Sequence, residues 1–239
     1  MSVRWMFSDR LGGVSAAPYE SLNVAHHVGD APESVASNRD LLLARLSCSV
    51  PARLVFMDQV HRDQVAVIDA AQPALTSADA PEATDGMVTA SPGAALVVMV
   101  ADCVPVLLAD PVAGVVAAVH AGRPGLRARI VVKAVDAMAG LGAEAGRTQA
   151  WLGPSVCPAC YEVPEQMRAD VAGVVPASWS TSRTGTPALD LRAGLTAELE
   201  ALGVAVTSVG PCTAESPDHF SYRRDGRTGR FAGVVWLEP

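Results

Sequence analysis

The stretch from Val97 to Gly125 constrains the fold of this chain more than any other. It holds two short apolar runs, 104–109 and 115–119, separated by the sequence Asp-Pro-Val-Ala-Gly. Valine-rich runs divided by Asp, Pro and Gly are typical of a β-hairpin. The sequence therefore predicts two adjacent antiparallel strands near the middle of the chain.

A turn centred between Pro111 and Val112 would bring Cys103 and His120 opposite each other at the open end of this hairpin. Directly opposed residues have Cβ atoms about 4.5–5.5 Å apart, so a thiolate and an imidazole can share one metal ion, or the imidazole can activate the thiol. Asp102 is adjacent, and the helix expected after His120 begins with an end that can hold an anion. We predict an active site here. The alternative is a buried, inert Cys103 and a structural His120.

Length and composition limit the classes of protein that fit. The 239 residues suit one large domain or two small ones, and neither a repeat nor a clear boundary divides them. The net charge of −7 argues against a general nucleic-acid binder. No apolar run reaches the ~18–20 residues of a membrane span, and the N-terminus lacks the apolar core of a signal peptide. We expect a cytoplasmic protein without a disulfide framework, since its five cysteines are an odd number.

Predicted strands alternate with three predicted helices, over Ser34–Leu46, Leu126–Ala139 and Leu191–Leu202, the last capped by Asp190. This order predicts a single α+β domain over residues 1–239, with a mixed, largely antiparallel sheet core and helices packed outside. Besides the hairpin and the strand that leads into it from Val97, strands are expected at Val3–Phe7, Leu54–Phe56, Val65–Ile68, Val204–Val209 and Phe231–Leu237.

Three polar segments invite a functional interpretation. The glycine-broken segment 1–30 carries Asn23 and His27, as a functional loop would. His61 falls between two predicted strands, where its side chain can point into a site or simply lie in water. Near the C-terminus, four arginines occur within the eight residues 223–230. They can bind a phosphate or stack on a base, or they can form a charged hairpin tip.

The chain also contains a Cys-x-x-Cys pair, Cys157 and Cys160. Such a pair can bind zinc or cycle as a disulfide, but no second pair follows to complete a structural zinc site. Because the sequence offers no partner ligands, we expect Cys157→Ser and Cys160→Ser to leave zinc content and activity nearly intact.

A series of short motifs runs along nearly the whole chain, each weak alone but specific in number and order. They are GGVS (12–15), SLN (21–23), HVGD (27–30), NR (38–39), QVH (59–61), DG-VT (85–89), ADCVPVLLADP (101–111), VHAG (119–122), GP (153–154), CYEV (160–163) and FSYRRDG-TGR (220–230). In these motifs the chain resembles the laccase-domain family. That family was once called multicopper polyphenol oxidases and is now described as zinc-dependent purine nucleoside phosphorylases.

The resemblance implies a zinc ion on His61, Cys103 and His120, with one coordination position open. It also implies phosphorolysis of adenosine, inosine and methylthioadenosine to a free base and a pentose 1-phosphate, with deamination of adenosine as a second activity. The partners would then be a purine nucleoside and phosphate. Asp102 is the nearest candidate for proton transfer. Residue type suggests pocket-shaping or substrate-binding roles for Asn23, His27, Arg39, Tyr222, Arg223 and Arg224.

The chain departs from the family pattern in three places. The usual HAGWRG is HAGRPG at 120–125, so Arg123 stands at the Trp position and Pro124 at the Arg position. Arg62 replaces a frequent Gly after QVH, and Ala159 replaces the first cysteine of CCYE. An arginine at a helix start is a natural ligand for an oxyanion. We therefore expect Arg123 to fill that role from one residue earlier.

Three other functions stay open. The first is a cysteine hydrolase with Cys103 as nucleophile and His120 as base, acting on a peptidoglycan-precursor-like substrate, since some family members are implicated in correcting such precursors. The second is copper-dependent phenol oxidation, for which the five histidines of this chain are few. The third is a nucleotide-binding protein that has lost turnover. No feature of the sequence fixes an oligomeric state.

Overall fold

The computed structural model describes residues 1–46, 53–69 and 83–238. Two β-sheets pack face to face, and helices cover both outer sides. The predicted α+β class, with mixed and largely antiparallel sheets and helices outside, is confirmed.

The first sheet has four strands in the order β1-β12-β5-β2. Its strands are β1 (Ser2–Phe7), β2 (Arg53–Val55), β5 (Ala94–Val100) and β12 (Phe231–Glu238). Strand β12 pairs antiparallel with both β1 and β5, while β2 runs parallel to β5. The last strand of the chain therefore lies inside this sheet rather than at its edge.

The second sheet consists of β3 (Val65–Val67), β4 (Gly86–Thr89), β6 (Val104–Asp110), β7 (Val115–Ala121), β8 (Gln149–Leu152) and β11 (Ala205–Ser208), in the order β11-β8-β6-β7-β4-β3. Parallel pairing occurs between β3 and β4 and between β8 and β11, and the other pairs are antiparallel. Strands β9 (Trp179–Thr181) and β10 (Pro187–Leu189) form a separate antiparallel ribbon.

Strand β5 shows how one apolar run serves two cores. Side chains alternate across a strand, so Leu96 and Val98 pack between the sheets while Val97 and Met99 face the helix outside. The run is apolar throughout because both faces of the strand are covered. Each fully buried leucine or valine contributes roughly 1.5–3 kcal/mol, so this doubly covered strand gives the site a rigid floor.

Helix α1 (Pro32–Arg45) covers the first sheet, and α3 (Ile130–Ala139) and α5 (Leu191–Ala201) cover the second. As predicted, Asp190 caps α5, its carboxylate accepting a bond from the Ala193 N–H at 2.9 Å. The remaining α-helices of the described chain are the short α2 (Arg123–Arg127), α4 (Glu165–Ala172) and α6 (Tyr222–Asp225). In the described part of the chain, no helix is long and apolar enough to cross a bilayer.

The prediction of one continuous helix over 126–139 is wrong. Arg129 adopts a left-handed conformation, with φ of 58°, and separates α2 from α3. Its guanidinium reaches the largely buried Glu198 of α5 at 2.7 Å. The left-handed conformation interrupts the helix at a residue whose type gives no sign of a break.

The predicted hairpin is confirmed, but its register differs by two residues. Strands β6 and β7 pair His120 with Pro105, and the turn is the longer loop 111–114. The Asp110 carboxylate stabilises this loop by accepting the N–H groups of Val112 and Ala113 at 2.9 and 3.0 Å. Cys103 therefore lies just before β6 and diagonal to His120 rather than directly opposite it.

Candidate metal and substrate site

The ligand atoms of His61, Cys103 and His120 all lie within 4.8 Å of one another. His61 comes from the loop between β2 and β3, Cys103 from the turn between β5 and β6, and His120 from β7. The two imidazole rings stand nearly perpendicular, at 78°, with centroids 4.6 Å apart. Cys103 and His120, although diagonal across the hairpin, therefore lie close enough to bind one metal ion.

Asp85, which the sequence marks only as the first residue of the DG-VT motif, organises this group. Its buried carboxylate accepts the backbone N–H groups of Val60, His61 and Arg62 at 3.2, 2.9 and 2.7 Å. The same carboxylate lies 2.8 Å from His120 Nδ1. A carboxylate on one ring nitrogen orients the imidazole and leaves the other nitrogen for a metal. Asp85 therefore positions two of the three ligands at once.

The charges of the group are strongly coupled. Burial opposes ionisation of the Cys103 thiol, but the imidazoles of His120 and His61 outweigh it and lower its pKa to about 6. Burial likewise opposes a charged His120, but the Cys103 thiolate and the Asp85 carboxylate raise the pKa of this imidazole to about 9. Burial of Asp85 is outweighed by its bonds to His120 and to backbone N–H groups, so the pKa of its carboxyl lies below the usual value. Cys103 is thus poised as a thiolate.

Gly122 provides the space in which the ligands meet. A Cβ atom on this residue would stand 2.9 Å from Cys103 Sγ and 3.1 Å from His61 Cδ2. Any side chain here would push the thiol and the imidazole away from each other. One thiolate and two imidazoles form a donor set that suits zinc, and its soft sulfur also suits copper. The residues present therefore fit a metal ion of this kind.

A cavity of about 360 Å³ opens directly over these ligands. Its volume lies at the small end of the range for sites that hold small molecules. The first sheet forms its floor, and the segments that follow β8 and precede β12 form its walls. The lining residues are His27, Gln59, His61, Met99, Val100, Ala101, Asp102, Cys103, His120, Tyr161, Tyr222, Arg223 and Arg230.

Of the residues predicted around the metal, Asp102 lines the cavity but does not contact His120 through a hydrogen bond. Its carboxylate accepts the Thr213 hydroxyl and the Arg223 backbone N–H, both at 2.6 Å. Its own carbonyl accepts the Val156 N–H at 3.0 Å. Asp102 therefore ties three segments of the cavity wall together, and the carboxylate on the imidazole is that of Asp85.

The predicted substrate residues divide into two groups. His27, Tyr222 and Arg223 line the cavity. Among the described residues, Asn23, Arg39, Arg123 and Arg224 are not part of its lining.

The buried amide of Asn23 bonds protein groups on all sides, including the Arg230 N–H at 2.9 Å and the Asp30 carboxylate at 2.8 Å. Arg39 stacks on the Phe56 ring at 3.6 Å. Both residues shape the loops around the cavity from behind.

The two other arginines lie beside the wall. The guanidinium of Arg224 donates to three carbonyls, those of Thr213, Ser216 and His219, at 2.7–3.0 Å. Arg123 begins α2 and lies close to the hydroxyl of Tyr161. Arg123 therefore approaches the cavity through that tyrosine.

Arg230 and Tyr161 also line the cavity but were not among the predicted substrate residues. Arg230 belongs to the arginine-rich segment, and its guanidinium faces the charges of Cys103 and Asp102 while burial lowers its pKa. Tyr161 belongs to the CYEV motif, and the Arg223 guanidinium lies 5.0 Å from its ring centre. Burial and the nearby Cys103 thiolate raise the pKa of the Tyr161 phenol. For Tyr161, its place in the CYEV motif was the only sign of a functional role in the sequence.

Comparison with known proteins gives consistent matches over the whole length. A family profile described as multi-copper polyphenol oxidoreductase laccase matches residues 4–238. A purine nucleoside phosphorylase of Streptomyces griseus is 56% identical over 238 residues, 99% of this chain and 95% of the relative. One from Streptomyces coelicolor is 57% identical over 97% of this chain and 94% of the relative. The crystal structure of YfiH from Bacillus licheniformis matches with a TM-score of 0.91 at 30% identity, covering 99% and 93% of the two chains.

Proposed function

Because the chain belongs to the multi-copper polyphenol oxidoreductase laccase family, we propose that it is a zinc-dependent purine nucleoside phosphorylase acting as a single domain in the cytoplasm. The observation that carries this proposal is the meeting of three metal-ligating side chains and two arginines, Arg223 and Arg230, in one cavity. The names of its relatives in two Streptomyces species support the same activity.

His61, Cys103 and His120 would hold the zinc ion, with Asp85 orienting His120. When bound by three protein ligands, zinc supplies a Lewis acid at its open coordination position. Cys103 is suited to this role because its neighbours already favour the thiolate that a metal requires.

The remaining cavity residues suit a nucleoside and a phosphate. The exposed ring of Tyr222 can stack on the purine, while Arg223 and Arg230 can neutralise the phosphate. The phenol of Tyr161 stays protonated and can donate a hydrogen bond to either substrate. A phosphate oxygen would form a bond to C1′ of the pentose as the C1′–N9 bond breaks. The departing base takes up a proton, and pentose 1-phosphate is released.

The test is product analysis with inosine in the presence and absence of phosphate. We expect hypoxanthine and ribose 1-phosphate to form together, and only when phosphate is added. Cys103→Ser should lower both zinc content and turnover, because serine is a poorer ligand than a thiolate. Base release that does not depend on phosphate would overturn phosphorolysis in favour of hydrolysis.

We extend the proposal to adenosine and methylthioadenosine as substrates and to deamination of adenosine. Deamination consumes water and needs no phosphate, so ammonia release from adenosine in phosphate-free buffer measures it separately. Adenosine that is consumed only to adenine, with neither inosine nor ammonia formed, would contradict it.

A second candidate is a cysteine hydrolase. It is favoured by the series Cys103, His120 and Asp85, which combines a low-pKa thiol with an imidazole held by a buried carboxylate. Zinc analysis of Cys103→Ser separates the two functions. Full zinc retention with loss of activity would assign Cys103 as a nucleophile, whereas joint loss supports its role as a ligand.

A further inference from the structure

A second group of metal-ligating side chains lies outside the cavity. Ligand atoms of Cys157, Cys160, Cys212 and Glu215 all fall within 4.8 Å of one another. The three cysteines are free thiols. Cys160 Sγ lies 3.7 Å from a Glu215 carboxylate oxygen, and the Cys157 N–H donates to Cys212 Sγ at 3.3 Å. The fold thus supplies two ligands that the Cys-x-x-Cys pair lacked in the sequence.

We propose that Cys157, Cys160, Cys212 and Glu215 form a second zinc site, with a structural role. A tetrahedral zinc ion with Zn–S bonds of about 2.3 Å places its sulfurs about 3.8 Å apart. The observed spread of ligand atoms is within small side-chain movements of that arrangement. The pair lies on a tight turn in which the Cys160 N–H donates to the Cys157 carbonyl at 3.0 Å, so both thiols point to the same side.

The surrounding charges suit a site with several anionic ligands. Three thiolates and one carboxylate around a divalent ion carry a net charge of −2. Arg183 forms an ion pair with Glu215, and Arg192 lies close enough to Cys157 and Cys212 for their charges to act on its guanidinium. These two cations balance the excess negative charge.

The position of the group indicates what the ion would stabilise. Tyr161 directly follows Cys160 and lines the substrate cavity. Thr213 directly follows Cys212 and donates to Asp102 at 2.6 Å. Four protein ligands leave no open position, so the ion would join the 157–160 and 212–215 segments and hold the cavity wall. The Cys-x-x-Cys pair was expected to be dispensable for zinc binding because the sequence indicated no further ligands. Cys212 and Glu215 are such ligands, so we now expect the pair to contribute to zinc content.

Zinc content of the protein, purified without chelators under reducing conditions, tests the proposal. We expect two zinc ions per chain in the wild type and one in Cys212→Ser. Cys103→Ser should also retain one, because it weakens only the other site. One ion in the wild type and none in Cys103→Ser would overturn the proposal.

Cobalt spectroscopy provides a measurement that does not require Cys212→Ser to fold. Metal-free Cys103→Ser should bind one equivalent of Co²⁺ with intense thiolate-to-metal absorption, which Cys103 cannot supply in this variant. Absence of that absorption, or a Cys157–Cys160 or Cys157–Cys212 disulfide in the reduced preparation by mass spectrometry, would contradict a metal site. The matched variant Arg62→Ala should leave the absorption unchanged.

Discussion

The two groups of cysteine-containing ligands differ in what surrounds each thiol. Cys103 faces two imidazoles, and its pKa is lowered to about 6. Cys160 faces two other thiols and a carboxylate, and its pKa is raised to about 12. One side-chain type is therefore reactive in one place and inert in another. The first arrangement suits a site that meets substrate, and the second suits one that only joins segments of chain.

The largest expected effect comes from removing the Asp85 carboxylate, which positions the ligands around Cys103. Asp85→Ala leaves three backbone N–H groups and one imidazole without their acceptor. An orphaned buried group costs about 1–3 kcal/mol, but water can replace part of the lost bonding at the exposed residues Val60, His61 and Arg62. We therefore expect the free energy of unfolding to fall by about 3–5 kcal/mol. Urea denaturation measures it. Asp85→Asn, which keeps one carbonyl acceptor, should lose less, and an equal loss would argue against this hydrogen-bond network.

A second prediction compares the thiols directly in metal-free protein. At pH 7 a thiol of pKa about 6 is mostly thiolate, whereas one of pKa about 12 is almost fully protonated. Even after allowing for the lower intrinsic nucleophilicity of the more acidic thiolate, Cys103 should react with iodoacetamide about a hundredfold faster than Cys160.

Peptide mapping after brief labelling gives both rates. The Cys103 rate should rise as pH increases through about 6, because deprotonation creates the reactive form. Equal labelling of both cysteines at pH 7 would refute the contrast. Restoring zinc should protect Cys103.

A third prediction compares two arginines, each of which lies near one of the two groups of ligands. Arg123→Ala removes the cation that reaches the cavity through the Tyr161 hydroxyl. It should raise the phosphate requirement about ten- to a hundredfold with zinc content unchanged, since a charge-assisted hydrogen bond contributes roughly 1.5–3 kcal/mol. Arg183, which pairs with Glu215 near the second group, serves as the control. Arg183→Ala should leave the phosphate dependence as in wild type. If both variants behave alike, Arg123 has no special part in phosphate binding.

The smallest expected effect concerns the space between the first ligands. Gly122→Ala places a methyl group against Cys103 and His61 and should weaken zinc binding at this group about tenfold, in the range seen for changes next to metal ligands. Competition with a chelator measures the affinity. Gly146→Ala is the matched control because its Cβ would meet open space. Unchanged affinity in Gly122→Ala would show that the ligands can move apart freely.

Features that depend on residues close together in the sequence could be predicted, whereas features that depend on residues far apart in the sequence could not. The hairpin and the Asp190 cap depend on neighbouring residues, and both are confirmed. The break at Arg129 was missed because its left-handed conformation leaves no mark in the apolar periodicity, and its contact with Glu198 spans 69 residues.

The same limit applies to the candidate site. Asp85 meets His120 across 35 residues, and Cys212 meets Cys157 across 55. Asp85 stands in the DG-VT motif and Cys212 in none of the motifs, but neither position indicates its partner. Only the pairing of β4 with β7 and the packing of the loops bring the partners together. The resemblance to a family supplied His61, whereas the residues that position the ligands needed the fold.

The central place of β12 in the first sheet has a consequence for how the protein is made. Residues emerge from the ribosome in order, at about 5–20 per second, so β1 and β5 have no antiparallel partner until Phe231–Glu238 is available. Arg223 and Arg230 directly precede that strand, and the substrate side of the cavity is therefore completed last. In the interval, both strands expose open edges to other chains.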